Sequence, residues 1–530
     1  MNVTVRNDCR EMTNDEIFDT IMRDRGIDDI QSFLYPTEDD LLPPVPKSKE
    51  AYSLLDDAIK HNKKIGVLFD VDLDGITAGT IMVRYLKDMG VESTPMINDW
   101  KQHGVQNDSV DALSKFDLLI IVDSLDADIN NYKLLHDKGV CIIVLDHHAI
   151  NPDIPYNKYV TLVSSQYDIY QNKSLSGAGV VWKFCKIIDT YRNTCYTDKY
   201  MDLAACGLVA DMMDMSVPEN RYIVSVGLNT LNNLAVKKIV GSYDFNSTAI
   251  AFSVAPLVNA SNRLNKNKEA MMAFLSDDNK EVLKYIKVMK KCKEDQNEEV
   301  SDMMDDIEKQ CSEQADSKMI TIFVNTEYGI TGLIGNKILE KYKRPILILK
   351  DTGDTYSGSM RSVGTGDFRK IINDSGLARA DGHEYAAGFE VTKSNLKKFQ
   401  QYIEEKLVDF ETSEEIEADV QISILQLNSD LIDRIKVVDR VSGNGFRPIR
   451  FYIDDIDEYV VTSMSDGKHL VIQPTEYIDI IKWNYSGSFE PFEDGSIFGN
   501  KVTAVGTLDS GFFGRKFYLK LICDYIEVEE

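Results

Sequence analysis

The chain has 530 residues, 43% of them hydrophobic, and a formal charge of −27. That length exceeds what one hydrophobic core sustains, so about three domains are expected, and so much acid argues against a protein that coats duplex DNA through net positive charge. No apolar run reaches the ~18 residues of a membrane span and the N-terminus lacks a signal-peptide core, which predicts a cytoplasmic protein without membrane contact.

Residues 1–50 form an acidic N-terminal extension whose Leu42-Pro43-Pro44-Val45-Pro46 stretch reads as extended chain. From 51 to 265, apolar runs at 65–69, 118–122 and 140–145 alternate with helical patterns at 76–89 and 130–136. That alternation predicts an α/β domain around a parallel sheet. Two further helical patterns, 175–191 and 200–210, lead to Asp211 at a helix end. Residues 266–317 lack glycine and proline, are dense in charge, and carry apolar residues at helical spacing, which predicts a connecting helix. A smaller α/β domain follows at 318–412, with strands at 319–324 and 345–349 around a helix at 333–342. From 413 to 530, short β-rich runs between Gly, Ser and Asp turns predict a small antiparallel β-barrel. The eight cysteines include no Cys-x-x-Cys pair, and those in apolar surroundings (Cys141, Cys206, Cys523) read as buried small hydrophobes.

Four stretches carry chemistry: Asp70-Val71-Asp72-Leu73-Asp74-Gly75, Asp123, Asp146-His147-His148 and Asp211, each at the end of an apolar run. Ligands of open α/β sheets bind outside the carboxyl ends of the strands, so the four should converge on one crevice. Crowded carboxylates without Lys or Arg repel one another unless cations neutralise them. Carboxylates with imidazole and no thiolate form a hard ligand set that suits Mn²⁺ or Mg²⁺, and two such ions suit phosphodiester hydrolysis. The plainer alternative is that each Asp caps the helix after its strand.

The Asp-Val-Asp-Leu-Asp-Gly, lone Asp, Asp-His-His and Val-Ala-Asp series resembles the motifs of the DHH phosphoesterase superfamily. Gly177-Ala178-Gly179-Val180, Asn220-Arg221, Asn259-Ala260-Ser261-Asn262-Arg263, Gly358-Ser359-Met360-Arg361-Ser362 and Gly382-His383-Glu384-Tyr385-Ala386-Ala387-Gly388 resemble its RecJ branch, the single-strand-specific 5′→3′ exonucleases. The match runs in order from Phe33-Leu34-Tyr35-Pro36 onward. It implies a DHH domain, a DHH-associated domain and a C-terminal OB fold, the last on Gly443-Asn444-Gly445-Phe446, Gly467-Lys468-His469-Leu470 and 517–521.

The resemblance also implies roles. Asp72, Asp74, Asp123, His147 and Asp211 would bind two ions, with Asp74 or Asp123 bridging, while Asp70, Asp146 and His148 orient these ligands or serve as partial ligands themselves. Ser359 and Arg361 would hold the terminal phosphate, Gly382 and His383 the scissile phosphate, and Arg263 the strand at the entrance. Three departures stand out. A histidine that some relatives carry four residues before Asp72 is Leu68, the usual Gly-Gly-His is Asp381-Gly382-His383, and a basic residue expected near Asp99 is replaced, with Lys101 or His103 as substitutes. In the barrel, Phe446, Trp483, Tyr485, Phe512, Phe513 and Arg515 are candidates for stacking bases.

The expected activity is a metal-dependent 5′→3′ exonuclease that degrades single-stranded DNA to mononucleotides in recombination or repair. It would act as a monomer, with a helicase and a single-strand-binding protein as candidate partners. Two rivals are a DHH phosphodiesterase for very short oligonucleotides or cyclic dinucleotides, which needs no OB domain, and a scaffold on a dead DHH core, which an intact Asp/His set opposes.

Overall fold

The computed structural model describes residues 2–99, 102, 104–106, 109–126, 129–326, 329–363, 366–407, 415–464, 469–485, 496–513 and 516–528. Its strands in chain order are β1 (Asn2–Asp8), β2 (Ile65–Phe69), β3 (Thr94–Ile97), β4 (Leu118–Val122), β5 (Cys141–Asp146) and β6 (Thr161–Ser164). Then come β7 (Ile320–Phe323), β8 (Ile346–Asp351), β9 (Thr355–Arg361), β10 (Ala378–Gly382) and β11 (Ala386–Thr392). The last six are β12 (Glu415–Gln421), β13 (Phe451–Met464), β14 (His469–Thr475), β15 (Ile478–Lys482), β16 (Ser496–Phe513) and β17 (Lys516–Val528). Two compact units result: one of Met1–Val3 and Lys290–Ile416, the other of Thr4–Met289 and Glu417–Glu530.

In the larger unit, β3-β2-β4-β5-β6 form a wholly parallel sheet. β2 and β4 are continuous apolar runs because both faces are covered: Val67, Ile120 and Val122 enter one core cluster, Leu68, Leu119 and Ile121 another. The chain lays β3 on one side of β2 and then crosses back to place β4 on the other. This reversal of strand order opens a crevice at the carboxyl ends of β2 and β4.

The second expected feature of this unit, a barrel, is closed in the order β13-β14-β15-β17-β16 and back to β13. That is the strand order of an OB fold. Two details differ from the expectation. β15 and β17 pair in parallel, and β13 is no short run but a 14-residue strand, bent by register shifts between Ile453 and Glu458. The barrel shares its core with the parallel-sheet layer: Phe451, Ile472, Ala504 and Leu521 belong to the same buried cluster as Ile76, Ala178 and Leu208. The N-terminal 1–50 segment joins that cluster through Ile17, Ile21 and Met22 on the Asn14–Asp24 helix.

The smaller unit holds a mixed sheet in the order β10-β11-β9-β8-β7, in which only the β7–β8 pair is parallel. Ile334 and Ile338 of the Thr331–Tyr342 helix meet Ile346 and Ile348 in one cluster, and Phe368 and Phe399 of two later helices pack with Leu347, Leu349 and Met360 in another. Residues 382–389 run from the end of β10 through the turn of the β10–β11 hairpin into β11.

The single connecting helix expected over 266–317 is two helices, Asn267–Leu275 and Asn279–Ser312. The break has a local cause. Asp278 accepts from the amides of Lys280 and Glu281, and Ser276 Oγ accepts from Asp278 N, so side chains cap a new helix start. Cys206 and Cys523 are buried as expected, but Cys141 is exposed at the first position of β5. Among the described residues, no helix is long and apolar enough to cross a membrane.

Candidate metal centre

Each ligand candidate is aimed by the element before it. β2 leads directly into the buried Asp70, and Asp72 then caps the Leu73–Asp88 helix, accepting from Gly75 N at 3.1 Å. Capping is therefore a real role of Asp72. It is not the role of Asp74, which reaches across to another helix: its Oδ2 accepts from Gly177 N at 2.6 Å and its Oδ1 from Ala178 N at 2.9 Å. Those are free amides in the first turn of the Gly177–Arg192 helix, whose positive end favours an anion. Asp123 extends the β4–β5 ladder, donating its N–H to Leu145 O at 2.9 Å, and has φ of 56° in the left-handed region that Asp tolerates better than most residues. Asp211 closes the Met201–Ala210 helix as its C-cap.

These side chains meet around His147. Its Nε2 lies 3.2 Å from Asp123 Oδ1, 3.3 Å from Asp211 Oδ2 and 3.8 Å from Asp74 Oδ2. Three ligand groups overlap there: Asp74, His147 and Asp211; Asp70, Asp72 and Asp123; and Asp123 with Asp146, His147 and His148. Asp123 and His147 each belong to two of them. Three glycines make room, since a Cβ on Gly75 would lie 2.4 Å from Asp70 Cβ, on Gly177 2.4 Å from Asp123 Oδ1, and on Gly207 2.1 Å from Asp74 Oδ1.

Electrostatics separates the ligands from their supports. Burial, with the neighbouring carboxylates, raises the Asp74 and Asp123 carboxyls above the usual range and pushes Asp211 up to about 8. Burial also raises Asp146, but its hydrogen bond to His148 Nδ1 at 2.8 Å and the nearby imidazoles outweigh this and hold it low. The same bond raises His148 to about 9. Asp146 and His148 thus form a self-satisfied pair, whereas the buried Asp123 Oδ1 receives no hydrogen bond among the described residues and has only the ion-pair contact with His147 Nε2 at 3.2 Å. Among the described residues, the ion-pair contacts of Asp74, Asp123 and Asp211 are to His147 alone. Such a donor set fits hard divalent cations, which would stabilise the ionised carboxylates that burial disfavours. Leu68 is buried in the core and supplies no ligand.

Family models match twice: a DHH family N-terminal domain over residues 64–208 and a DHHA1 domain over 316–409. The chain is 28% identical over 465 residues to a Bacillus subtilis (strain 168) SPbeta prophage protein named as a single-strand DNA-specific exonuclease, an alignment covering 79% of this chain and 80% of that one. It is 24% identical to the single-stranded-DNA-specific exonuclease RecJ of Bacillus subtilis, over 72% of this chain and 51% of that relative. In three dimensions it resembles the RecJ of Thermus thermophilus, solved in complex with Mn²⁺, with a TM-score of 0.80 at 21% identity over 100% of this chain and 80% of that one.

The DHHA1 match covers the second group of expected residues, which lies in the smaller unit. Ser359 Oγ is 2.8 Å from Thr331 Oγ1, and Arg361 Nε donates to Asn336 Oδ1 at 2.6 Å. A Cβ on Gly332 would lie 2.5 Å from Arg361 Nη2, so the start of the Thr331–Tyr342 helix sits against both side chains. Arg361 pairs with Ala386 across β9 and β11, beside the turn bearing Gly382 and the exposed His383. Gly382 has φ of 135°, open to glycine alone among common residues. Asp381 is exposed beside a cavity of about 500 Å³ that Lys350, Ser357 and Arg379 also line.

Arg263 ends the Ala255–Arg263 helix, half-buried, in the unit of the DHH match. Of the stacking candidates, Trp483 and Phe512 are exposed, at 45% and 74%. Phe446 is buried under the Arg221 guanidinium and is a core residue instead. Lys101, His103, Gly467, Lys468, Arg515 and the side chain of Phe513 lie outside the described residues. The amides of Gly177 and Ala178 carry a function that residue-type reasoning missed, because a backbone donor has no signature of its own. The available signal was Ser176, a helix-capping residue before a small-residue first turn, whose Oγ accepts from Gly179 N at 3.2 Å.

Proposed function

We propose that this chain is a metal-dependent exonuclease that hydrolyses single-stranded DNA from the 5′ end to mononucleotides. Asp72, Asp74, Asp123, His147 and Asp211 would hold two Mn²⁺ or Mg²⁺ ions. Asp123 carries the reading: a buried carboxylate at the point where strand order reverses, shared by two ligand groups, with an oxygen that receives no hydrogen bond among the described residues. Ions of this class, when bound, lower the pKa of a water and neutralise charge on a phosphate.

The chain's own residues act around them. The Gly177 and Ala178 amides fix Asp74, and Asp146 fixes the His148 ring. Ser359 and the Arg361 guanidinium bind the terminal phosphate, and His383, free of packing on its turn, donates an N–H to the scissile phosphate. Arg263 contacts the strand, and the exposed Trp483 and Phe512 stack its bases. The names of the relatives and the OB-type barrel support a single-stranded substrate over a dinucleotide. Recombination or repair, with a helicase and a single-strand-binding protein, and a monomeric state belong to the same reading.

One assay tests it: Mn²⁺-dependent product release from 5′-labelled long single strands, duplexes and dinucleotides. Labelled mononucleotide from the long single strand alone is the expected result. Preference for the dinucleotide would make the chain a short-oligonucleotide phosphodiesterase, and no release from any substrate would make it a scaffold.

A further inference from the structure

The chain turns sharply just after Asp211. Met212 N donates to Val209 O at 3.2 Å and Met213 N to Leu208 O at 3.0 Å, while Met212 has φ of 52°. This is a Schellman helix end with methionine at the left-handed position that favours glycine. The Met212 side chain is 68% exposed, so its own packing does little to impose that conformation. Something else must hold the turn.

The turn before barrel strand β13 does so. Asn444 Nδ2 donates to Met212 O at 2.8 Å, and Asn444 O accepts from Met215 N at 2.8 Å. Gly445, with φ of 72°, lies so close that a Cβ there would be 1.8 Å from Asp214 Oδ1. On the far side, Asp214 N donates to Ser174 Oγ at 2.7 Å and Asn220 Nδ2 to Asp214 O at 3.0 Å. The loop is pinned from both flanks, and the Asn444 contact is the one nearest the ligand.

We infer that Asn444 is a positioning residue for the metal centre: by holding Met212 O it keeps the Asp211 carboxylate aimed at His147. The inference rests on Asp211 being a metal ligand, as proposed above. Asp211 is the ligand that needs such help, since it ends a helix just before a sharp turn, whereas amides of Gly75, Gly177 and Ala178 hold Asp72 and Asp74, and partners of this kind set the orientation of a ligand and with it metal affinity. The barrel thereby contributes to the chemistry as well as to strand binding.

The test uses the full-length chain with Asn444→Asp, Asn444→Ala and Asp211→Asn. Asn444→Asp keeps the shape and the acceptor for Gly445 N but sets an oxygen against Met212 O. Mn²⁺ binding to metal-free protein is measured by calorimetry and the metal-free melting temperature by circular dichroism. Both Asn444 variants are expected to weaken Mn²⁺ binding about three- to ten-fold, with melting within about two degrees of wild type and turnover restored by excess Mn²⁺. Wild-type Mn²⁺ affinity in the Asn444 variants, while Asp211→Asn binds weakly, overturns the positioning role alone. Lower melting with turnover that excess Mn²⁺ does not restore overturns it too, by making Asn444 merely structural. Wild-type affinity in Asp211→Asn removes the ligand assignment itself. Should Asn444→Ala fail to fold, Asn444→Asp decides.

Discussion

At the scale of single residues, Asp123 combines three properties that rarely coincide: burial, a left-handed backbone and a carboxylate oxygen that receives no hydrogen bond among the described residues. Asparagine keeps the shape and tolerates the same φ, so Asp123→Asn removes charge with little added strain, where alanine would add on the order of 1 kcal/mol of it. Turnover with Mn²⁺ should drop below about one per cent of wild type while single-strand affinity stays within about three-fold. Activity above about a tenth would remove Asp123 from the metal centre. Arg361 poses a different question, because it is half-buried and its guanidinium is tied to Asn336. If it reads the terminal phosphate, Arg361→Ala should weaken preference for 5′-phosphate over 5′-hydroxyl strands more than it slows cleavage of bound substrate. Equal losses on both ends would leave it a structural role only.

At the scale of elements, the Met201–Ala210 helix matters because its last residue delivers Asp211. Its first turn is tied down by Asp202, fully buried, which accepts from Leu203 N, Asn232 N and Asn233 N at 2.9, 2.8 and 2.6 Å. Burial nevertheless raises its carboxyl to about 6. The folded chain therefore holds a proton on Asp202 that the unfolded chain has released between roughly pH 4 and 6, so this residue's contribution to stability falls as pH rises through that window. Asn does not titrate there. The melting-temperature advantage of wild type over Asp202→Asn should accordingly shrink between about pH 4.5 and 7.5, and a gap that stays constant would contradict the assignment.

At the scale of the whole molecule, a charge of −27 leaves strand binding to local features rather than to net attraction. Exposed barrel aromatics are such features: Trp483 meets His469 edge-on at 4.8 Å, and Phe512 meets Phe517 at 5.2 Å at the end of the β16–β17 hairpin. Stacking is worth ~1–3 kcal/mol per base, so Trp483→Ala or Phe512→Ala should each raise the dissociation constant for a long single strand about ten-fold, with cleavage of a dinucleotide unchanged. Long-strand affinity unaffected by both would turn the barrel toward protein partners. Point substitutions suit this question better than a chain ending near residue 412, since the barrel and the parallel-sheet layer share one hydrophobic cluster and the cut would expose it.

Much of the site was legible in the sequence because its signals are local. A five-residue apolar run ending in Asp names a buried strand and its carboxyl end together, so β2, β4 and β5 and the acids after them could be read without coordinates. The short β3 and β6, four residues each, have no such pattern, and the parallel β15–β17 pairing depends on residues some forty positions apart. Asp70, Asp72, Asp74, Asp123, His147 and Asp211 declared their chemistry by residue type. That Asp74 rests on the amides of Gly177 and Ala178, that Asp146 spends its charge on His148, that Phe446 is core, and that Asn444 grips the turn after Asp211 are contacts across 2 to 413 positions of chain. Side-chain type and spacing carry a residue's chemistry, but which donor meets which acceptor is decided only when packing brings distant segments together.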